Sequence, residues 1–246
     1  MKKTTLIGIN GKIGSGKDTI GSIIQYLTSE SGNQNSSRHR TYEEFLSNGG
    51  GSTLRNFDLH YVSDWEIKKF AGKLKQIASL LTGFSIEMFE DQEFKRKQMS
   101  EDWGMTYREF IQKLGTEAMR NGLHTNVWVN ALFADYIPNC NKFESKMLQT
   151  GGNYTSSICS DCNCFPDWII TDMRFPNELD AVVERKGITI RVHRDLHNGN
   201  AHISPIPHES ETALDDTKFD YEIINDGTLE DLMDKVREIL VKEKII

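Results

Sequence analysis

Nine residues near the start of the chain, Gly11-Lys12-Ile13-Gly14-Ser15-Gly16-Lys17-Asp18-Thr19, carry three glycines and two lysines in the spacing G-x-x-x-x-G-K. Glycines let backbone N–H groups approach phosphate oxygens with no Cβ in the way. A helix starting just after the turn adds a favourable dipole, and a lysine in the position of Lys17 reaches the β- and γ-phosphates of a nucleoside triphosphate. The expected ATP-binding set is therefore Lys12, Gly14, Ser15, Gly16, Lys17, Asp18 and Thr19, with Lys17 catalytic as well. Asp18 stands where Ser or Thr usually supplies the hydroxyl that holds Mg²⁺. The metal contact falls to Asp18 or Thr19, or to Asp172 in compensation, and the residues leave these alternatives open.

A triphosphate loop alone specifies a nucleotide-using protein and no particular reaction. A kinase acting on a phosphorylated small molecule also needs cations that grip the acceptor phosphate, and three stretches offer them. Phe70-Ala71-Gly72-Lys73-Leu74-Lys75 runs from a strand end into a helix and places Lys75 near a helix start. Tyr107–Thr116 puts Arg108 and Gln112 four residues apart on one helical face. Gly115 and Thr116 interrupt that helix, and a glycine there asks for close approach of a ligand or another helix. Trp128 reads equally as a base-stacking ring or as core. In the third stretch, Ile169–Glu178, a buried strand ends at Asp172 and Arg174 opens the following loop. Ligands of parallel α/β sheets sit at that end of the strands, and an arginine there clamps phosphate through two parallel bonds.

The elements that must position these residues follow from periodicity. Strands are expected at 4–9, 65–70, 168–171, 188–193 and 221–224. Helices are expected at 19–27, 74–81, across the charged stretch 86–98, along the apolar stripe 107–118, and at 127–136, 177–186 and 229–240. Gly187 is expected as the glycine that ends the 177–186 helix. Strands alternating with helices predict an α/β fold with a mainly parallel sheet and right-handed crossovers. Two stretches depart from the pattern. Residues 29–63, nearly free of aliphatics, read as an insertion or mobile loop with a short helix at 42–46. Residues 138–166 read as a second insertion and contain all four cysteines. Cys140, Cys159, Cys162 and Cys164 could form a tetrahedral Zn²⁺ site, but the C-x-C crowding at 162–164 and the distant Cys140 favour an unliganded loop.

The 246 residues are read as one domain, 1–246, with insertions at 29–63 and 138–166. Acidic residues number 36 against 29 basic ones, a formal net charge of −7. That balance argues against stable nucleic-acid binding or a membrane-surface role, both of which need a basic excess. No window approaches the ~18 consecutive apolar residues of a membrane span. Four cysteines without an export signal point to a reducing cytoplasm.

Six stretches, taken together and in order, resemble the phage-type deoxynucleoside monophosphate kinases, a P-loop family related in fold to adenylate and guanylate kinases. They are GSGKDT at 14–19, FAGKLK at 70–75, QKLGTE at 112–117 with VWV at 127–129, TDMRFPNELDA at 171–181, HESE at 208–211 and NDGTLEDL at 225–232. The GKDT variant, odd by the general pattern, is usual in this family. The resemblance implies a P-loop NTPase-like three-layer sandwich with helical substrate and lid insertions. It implies transfer of the ATP γ-phosphoryl group to a deoxynucleoside 5′-monophosphate with ATP and Mg²⁺, nucleotides as the partners, and the host cytoplasm as the location. A homodimer is compatible with it. Carried over residue by residue, Lys75, Arg108 and Arg174 would bind the acceptor phosphate or the transferred group, with Arg108 and Arg174 catalytic beside Lys17. Gln112, Gly115, Thr116 and Trp128 would shape the monophosphate pocket. Asp172 and Glu178 would support metal, sugar or Arg174, and the Asn225-Asp226-Gly227 turn would border adenine or simply cap the last helix. The other readings are a different small-molecule P-loop kinase, such as one for dephospho-coenzyme A, and a nucleotide-binding switch or nucleic-acid-associated ATPase. Which bases are accepted, and whether deoxyribose or ribose, is not written in these motifs.

Overall fold

A computed structural model of the chain describes residues 4–50, 63–101, 103–138, 165–194 and 212–246. The four cysteines and the HESE stretch lie outside the described residues, as do 51–62 of the first expected insertion. Five strands form one parallel sheet: β1 (Leu6–Gly11), β2 (Trp65–Lys68), β3 (Asp167–Met173), β4 (Ile188–His193) and β5 (Tyr221–Ile224), in the spatial order β2-β3-β1-β4-β5. The carboxyl ends of β1 and β3 are neighbours in the middle of the sheet. That is where the phosphate loop and Arg174 leave it. A register shift between Gly8 and Asn10 bends β1 there, and the Asn10 side-chain amide donates to the Met173 carbonyl at 2.8 Å.

Both faces of the sheet are covered. On one side Ile7, Ile9, Ile169, Ile190 and Ile223 pack against α1 (Lys17–Thr28), α2 (Tyr42–Ser47) and α8 (Leu229–Lys242). On the other side Leu6, Trp168 and Ile170 pack against α3 (Ala71–Thr82), α6 (Val127–Phe133) and α7 (Pro176–Glu184). This is a three-layer α/β/α sandwich, and strands buried on both faces read as continuous apolar runs. A helical lobe stands apart on its own core of Ala78, Phe89, Phe94, Met99, Tyr107 and Phe110. It is made by the far end of α3, α4 (Gln92–Arg96) and α5 (Tyr107–Gln112). Phe94 and Tyr107 stack at 4.3 Å between ring centroids in its centre. No helix among the described residues is long and apolar enough to cross a membrane.

In the described part of 29–63 the short helix expected at 42–46 is present as α2. It opens on a Thr41–Glu44 capping box and buries Tyr42 and Phe45 against Tyr26. Two aromatic rings three residues apart supply the apolar face that the missing aliphatics do not. Several expectations need correction. The 86–98 stretch is two pieces, a 3₁₀ turn Glu87–Phe89 and then α4, restarted by Asp91, whose carboxylate accepts the Phe94 N–H at 2.7 Å. The 107–118 stripe begins as α5 and continues as a π-helical segment, Lys113–Leu123. At the end of α7 the left-handed residue is Lys186, φ 58°, and not Gly187. Gly187 is glycine for space, because a Cβ there would lie 2.7 Å from Val182 Cγ1.

Candidate active site

The phosphate loop is the strand-to-helix turn between β1 and α1. Gly14 and Gly16 take φ of 78° and 101°, a conformation that costs glycine little and other residues much. Ser15 is buried, and its Oγ is the buried side-chain oxygen that lacks a hydrogen-bond partner among the described residues. An orphaned hydroxyl inside a glycine cradle fits an incoming phosphate oxygen. The Lys17 ammonium donates across the loop to the Lys12 carbonyl at 2.8 Å. The loop is braced from β5: the Asn225 amide donates to the Ser15 carbonyl at 2.8 Å, and a Cβ on Gly16 would lie 2.5 Å from that same amide nitrogen. Asn225 thus holds the loop and occupies the space that an alanine at 16 would need. Thr228 caps α8, its side chain accepting the Asp231 N–H.

Beside the loop a cavity of about 240 Å³ opens over the end of β4, walled by Gly11, Lys12, Ser15, Arg174, Arg194 and Leu214 among others. Arg191, buried on β4, ties its rim together through the carbonyls of Leu214 and Asp215 and the Asp215 carboxylate. Lys12 approaches that carboxylate at 3.7 Å from the loop side.

Asp18 and Thr19 lie exposed on the first turn of α1. Asp18 Oδ1 accepts the Thr171 hydroxyl at 2.8 Å and lies 3.1 Å from the Lys69 ammonium. Burial opposes ionisation of Asp18, but Thr171 and Lys69 outweigh it and hold the carboxyl below its ordinary range. A carboxylate and a hydroxyl beside a phosphate cradle are hard oxygen donors of the kind Mg²⁺ takes. Asp172, the third alternative, is otherwise engaged. Its two oxygens accept the Phe70 and Ala71 N–H groups at 2.8 and 2.9 Å, so it fixes the start of α3.

Across from the loop, cations converge from four elements. Lys75 on α3 pairs with Glu90, and Arg108 on α5 donates to the Gln92 side chain at 2.9 Å. Lys95 on α4 is held below its ordinary range by burial and by the neighbouring charges of Lys75, Arg108 and Arg174. Burial also opposes the ionised form of Glu90, but Lys75, Lys69 and Lys95 overcome it and keep the carboxyl low. Glu90 therefore faces Lys75, Lys69 and Lys95, and Lys95 in turn faces Lys75, Arg108 and Arg174, with Asp172 acting on Arg174 and Lys69. Arg174 belongs both to this cluster and to the wall of the cavity beside the phosphate loop.

The remaining expected pocket residues have the following surroundings. Trp128 is core: it is 5 % exposed, and its indole N–H donates to the Gly115 carbonyl at 2.9 Å. Gly115 lies against a helix, since a Cβ there would lie 2.8 Å from Leu74 Cδ2 on α3. Thr116 is half-buried on the same π-helical segment, and Gln112 is exposed. Glu178 is buried. Oε1 accepts from Arg120 at 2.7 Å, and Oε2 accepts the Arg174 and Phe175 N–H groups at 2.8 and 3.1 Å. Burial pushes its carboxyl up to about 7, against the pull of those partners.

Sequence reasoning passed over Lys69, Arg120 and Arg191 and gave Asn225 a different role. Lys69 directly precedes the quoted FAGKLK, so extending that stretch by one residue would have included it. The partners of Arg120 lie 57 and 58 residues away, and no local signal announces them.

The family model described as deoxynucleotide monophosphate kinase matches residues 65–236, which is more than half of the chain and begins after the phosphate loop. No curated protein matches the chain.

Proposed function

The chain belongs to the deoxynucleotide monophosphate kinase family and phosphorylates deoxynucleoside monophosphates, and from that premise we propose how its residues divide the work. The phosphate loop Gly11–Thr19 holds the ATP phosphates, and the cavity over β4 receives an adjoining part of the donor. Lys75, Lys95 and Arg108 bind the acceptor's phosphate. Arg174, shared by the two regions, and Lys17 lie along the path of the transferred group. The observation that carries this reading is the gathering of Lys75, Lys95 and Arg108 from three helices near Arg174, which also walls the cavity beside the phosphate loop.

An acceptor phosphate oxygen attacks the γ-phosphorus, the bond to the β–γ bridging oxygen breaks, and ADP leaves. No covalent enzyme intermediate is needed, so the protein contributes positioning and electrostatic stabilisation. Lys17 and Arg174 neutralise charge that spreads over the transferred group. Lys69, pinned by Asp18 and close enough to Glu90 to hold that carboxyl low, supports the same region from the β2 end. Asp18 and Thr19 are the residues that would hold Mg²⁺, which when bound with the nucleotide neutralises β- and γ-phosphate oxygens. The whole chain acts as one kinase domain. Steady-state kinetics test the division of labour. A charged hydrogen bond is worth about 1.5–3 kcal/mol, so Lys75→Ala or Arg108→Ala is expected to raise KM for the monophosphate roughly 10–150-fold and to leave KM for ATP unchanged. An effect confined to ATP would overturn it.

A further inference from the structure

We propose that Arg120 is a positioning residue for phosphoryl transfer, acting through the Glu178 carboxylate on the backbone that presents Arg174. The proposal rests on the assignment of Arg174 given above. Arg120 comes from the π-helical segment Lys113–Leu123, far along the chain from the loop it serves. Its side chain is 8 % exposed and that of Glu178 is 3 % exposed. One guanidinium nitrogen donates to Glu178 Oε1 at 2.7 Å, and the other donates to Asn177 Oδ1 at 3.0 Å. The guanidinium carbon Cζ lies over the Phe175 ring, 3.8 Å from its centroid. The second oxygen of the same carboxylate accepts the Arg174 and Phe175 N–H groups. Arg120 therefore grips the ring of Phe175 at the end of the loop and the amide of Asn177 and carboxylate of Glu178 in the first turn of α7.

A glutamate at the third position of a helix often reaches back to the capping residue with no cation behind it. Such a glutamate is normally solvated. Here the carboxylate is buried, and an ionised carboxylate in that place needs a counter-charge, which Arg120 supplies. The consequence is directional. With Arg120 in place both oxygens of Glu178 have fixed donors, so the Arg174 N–H and the Cα–Cβ bond that aims its guanidinium are fixed with them. Without Arg120 the carboxylate can turn or take up a proton, and the loop loses the partner that orients it. The π-helical segment gains a purpose in the same way. Its wider turn carries Arg120 to α7, while Asn177 bonds the Thr125 carbonyl and Asn126 Oδ1 at the segment's exit.

A double-mutant cycle on the full-length enzyme tests the proposal. Arg120→Met, Glu178→Gln and Arg174→Ala are made singly, and each of the first two is combined with the third. Arg120→Met is expected to lower kcat about 10–100-fold with KM for ATP within about twofold, and Arg120→Lys to recover part of the loss. In the Arg174→Ala background the same substitution is expected to cost less than about twofold more. Full additivity in both backgrounds would overturn the proposal, because a purely structural Arg120 lowers activity whether or not Arg174 is present. Unchanged kcat in Arg174→Ala alone would instead overturn the assignment of Arg174, and the inference with it. Should Arg120→Met fail to fold in thermal melts, the Glu178→Gln arm of the cycle decides by the same criterion.

Discussion

Replacing Trp128 by phenylalanine separates a core tryptophan from a base-stacking one. The indole N–H is the donor to the buried Gly115 carbonyl. Phenylalanine removes that donor, so a buried carbonyl loses its partner at a cost of about 1–3 kcal/mol. The smaller ring also leaves a void among Leu74, Val129 and their neighbours, adding roughly 1 kcal/mol. The total, about 2–4 kcal/mol, corresponds to a fall in Tm of roughly 4–16 °C for a chain of this size. The assay is a thermal melt followed by circular dichroism, alongside steady-state ADP release with saturating ATP and varied monophosphate. KM for every accepted monophosphate is expected to stay within about twofold of wild type. A stacking tryptophan would give the reverse: loss of part of the about 1–3 kcal/mol that stacking on a base is worth, since phenylalanine keeps a smaller ring, hence a rise in KM above about twofold with little change in Tm. An unchanged Tm with such a rise would refute the placement of Trp128 in the core and the reading of Gly115 with it.

Two further outcomes follow from polar contacts. Asn225→Ala removes the brace on the Ser15 carbonyl; one hydrogen bond of about 0.5–1.5 kcal/mol predicts a roughly 2–12-fold rise in KM for ATP with the monophosphate KM unmoved, read from the same kinetics. Glu178, pushed up to about 7 from its ordinary 4.5, contributes stability that is full below about 4.5 and is lost as pH rises through about 7. Asp172 and Arg120 are the charged neighbours that bear on it, the Arg174 backbone N–H holds it as well, and Asp172 is raised by burial in the same direction. Denaturant unfolding from pH 5 to 8 is expected to show a decline toward neutral pH that is shallower in Glu178→Gln; an identical slope in the two proteins would contradict the shift.

Much of this arrangement is legible in the residues themselves. The bounds of β4 and β5 follow from their apolar runs alone, since Ile188, Ile190 and Val192 on one and Ile223 on the other point to one face. The phosphate loop is legible because its conformation is local: Gly14 and Gly16 declare the positive φ they adopt. What sequence could not give is partnership across distance. Trp128 and Gly115 are thirteen residues apart, and each read separately leaves a ligand and a packing role open, yet each explains the other. Asp172 and Glu178 are acids on a strand end and a helix start, where either metal or backbone is a sensible partner. Only the fold shows that Asp172 caps α3 and Glu178 meets Arg120. Gly115 and Thr116 mark an interruption of the helix in the sequence, but the change from α-helix to π-helix after Gln112 is seen only in the fold. The Thr106–Glu109 capping box that starts α5 is legible in sequence and would have fixed that boundary.

The central claim is that a donor held at the phosphate loop passes its γ-phosphoryl group to a monophosphate held by the cations around Lys95. The most direct measurement is ADP release from ATP–Mg²⁺ against dGMP, dTMP, dCMP, hydroxymethyl-dCMP and dAMP, with the ribonucleotides and dephospho-coenzyme A alongside and Lys17→Ala as control. ADP release that depends on a deoxynucleoside monophosphate, with the matching diphosphate formed in equal amount and both lost in Lys17→Ala, is the result expected. ATP binding without transfer to any deoxynucleoside monophosphate, or transfer that survives Lys17→Ala, would contradict it.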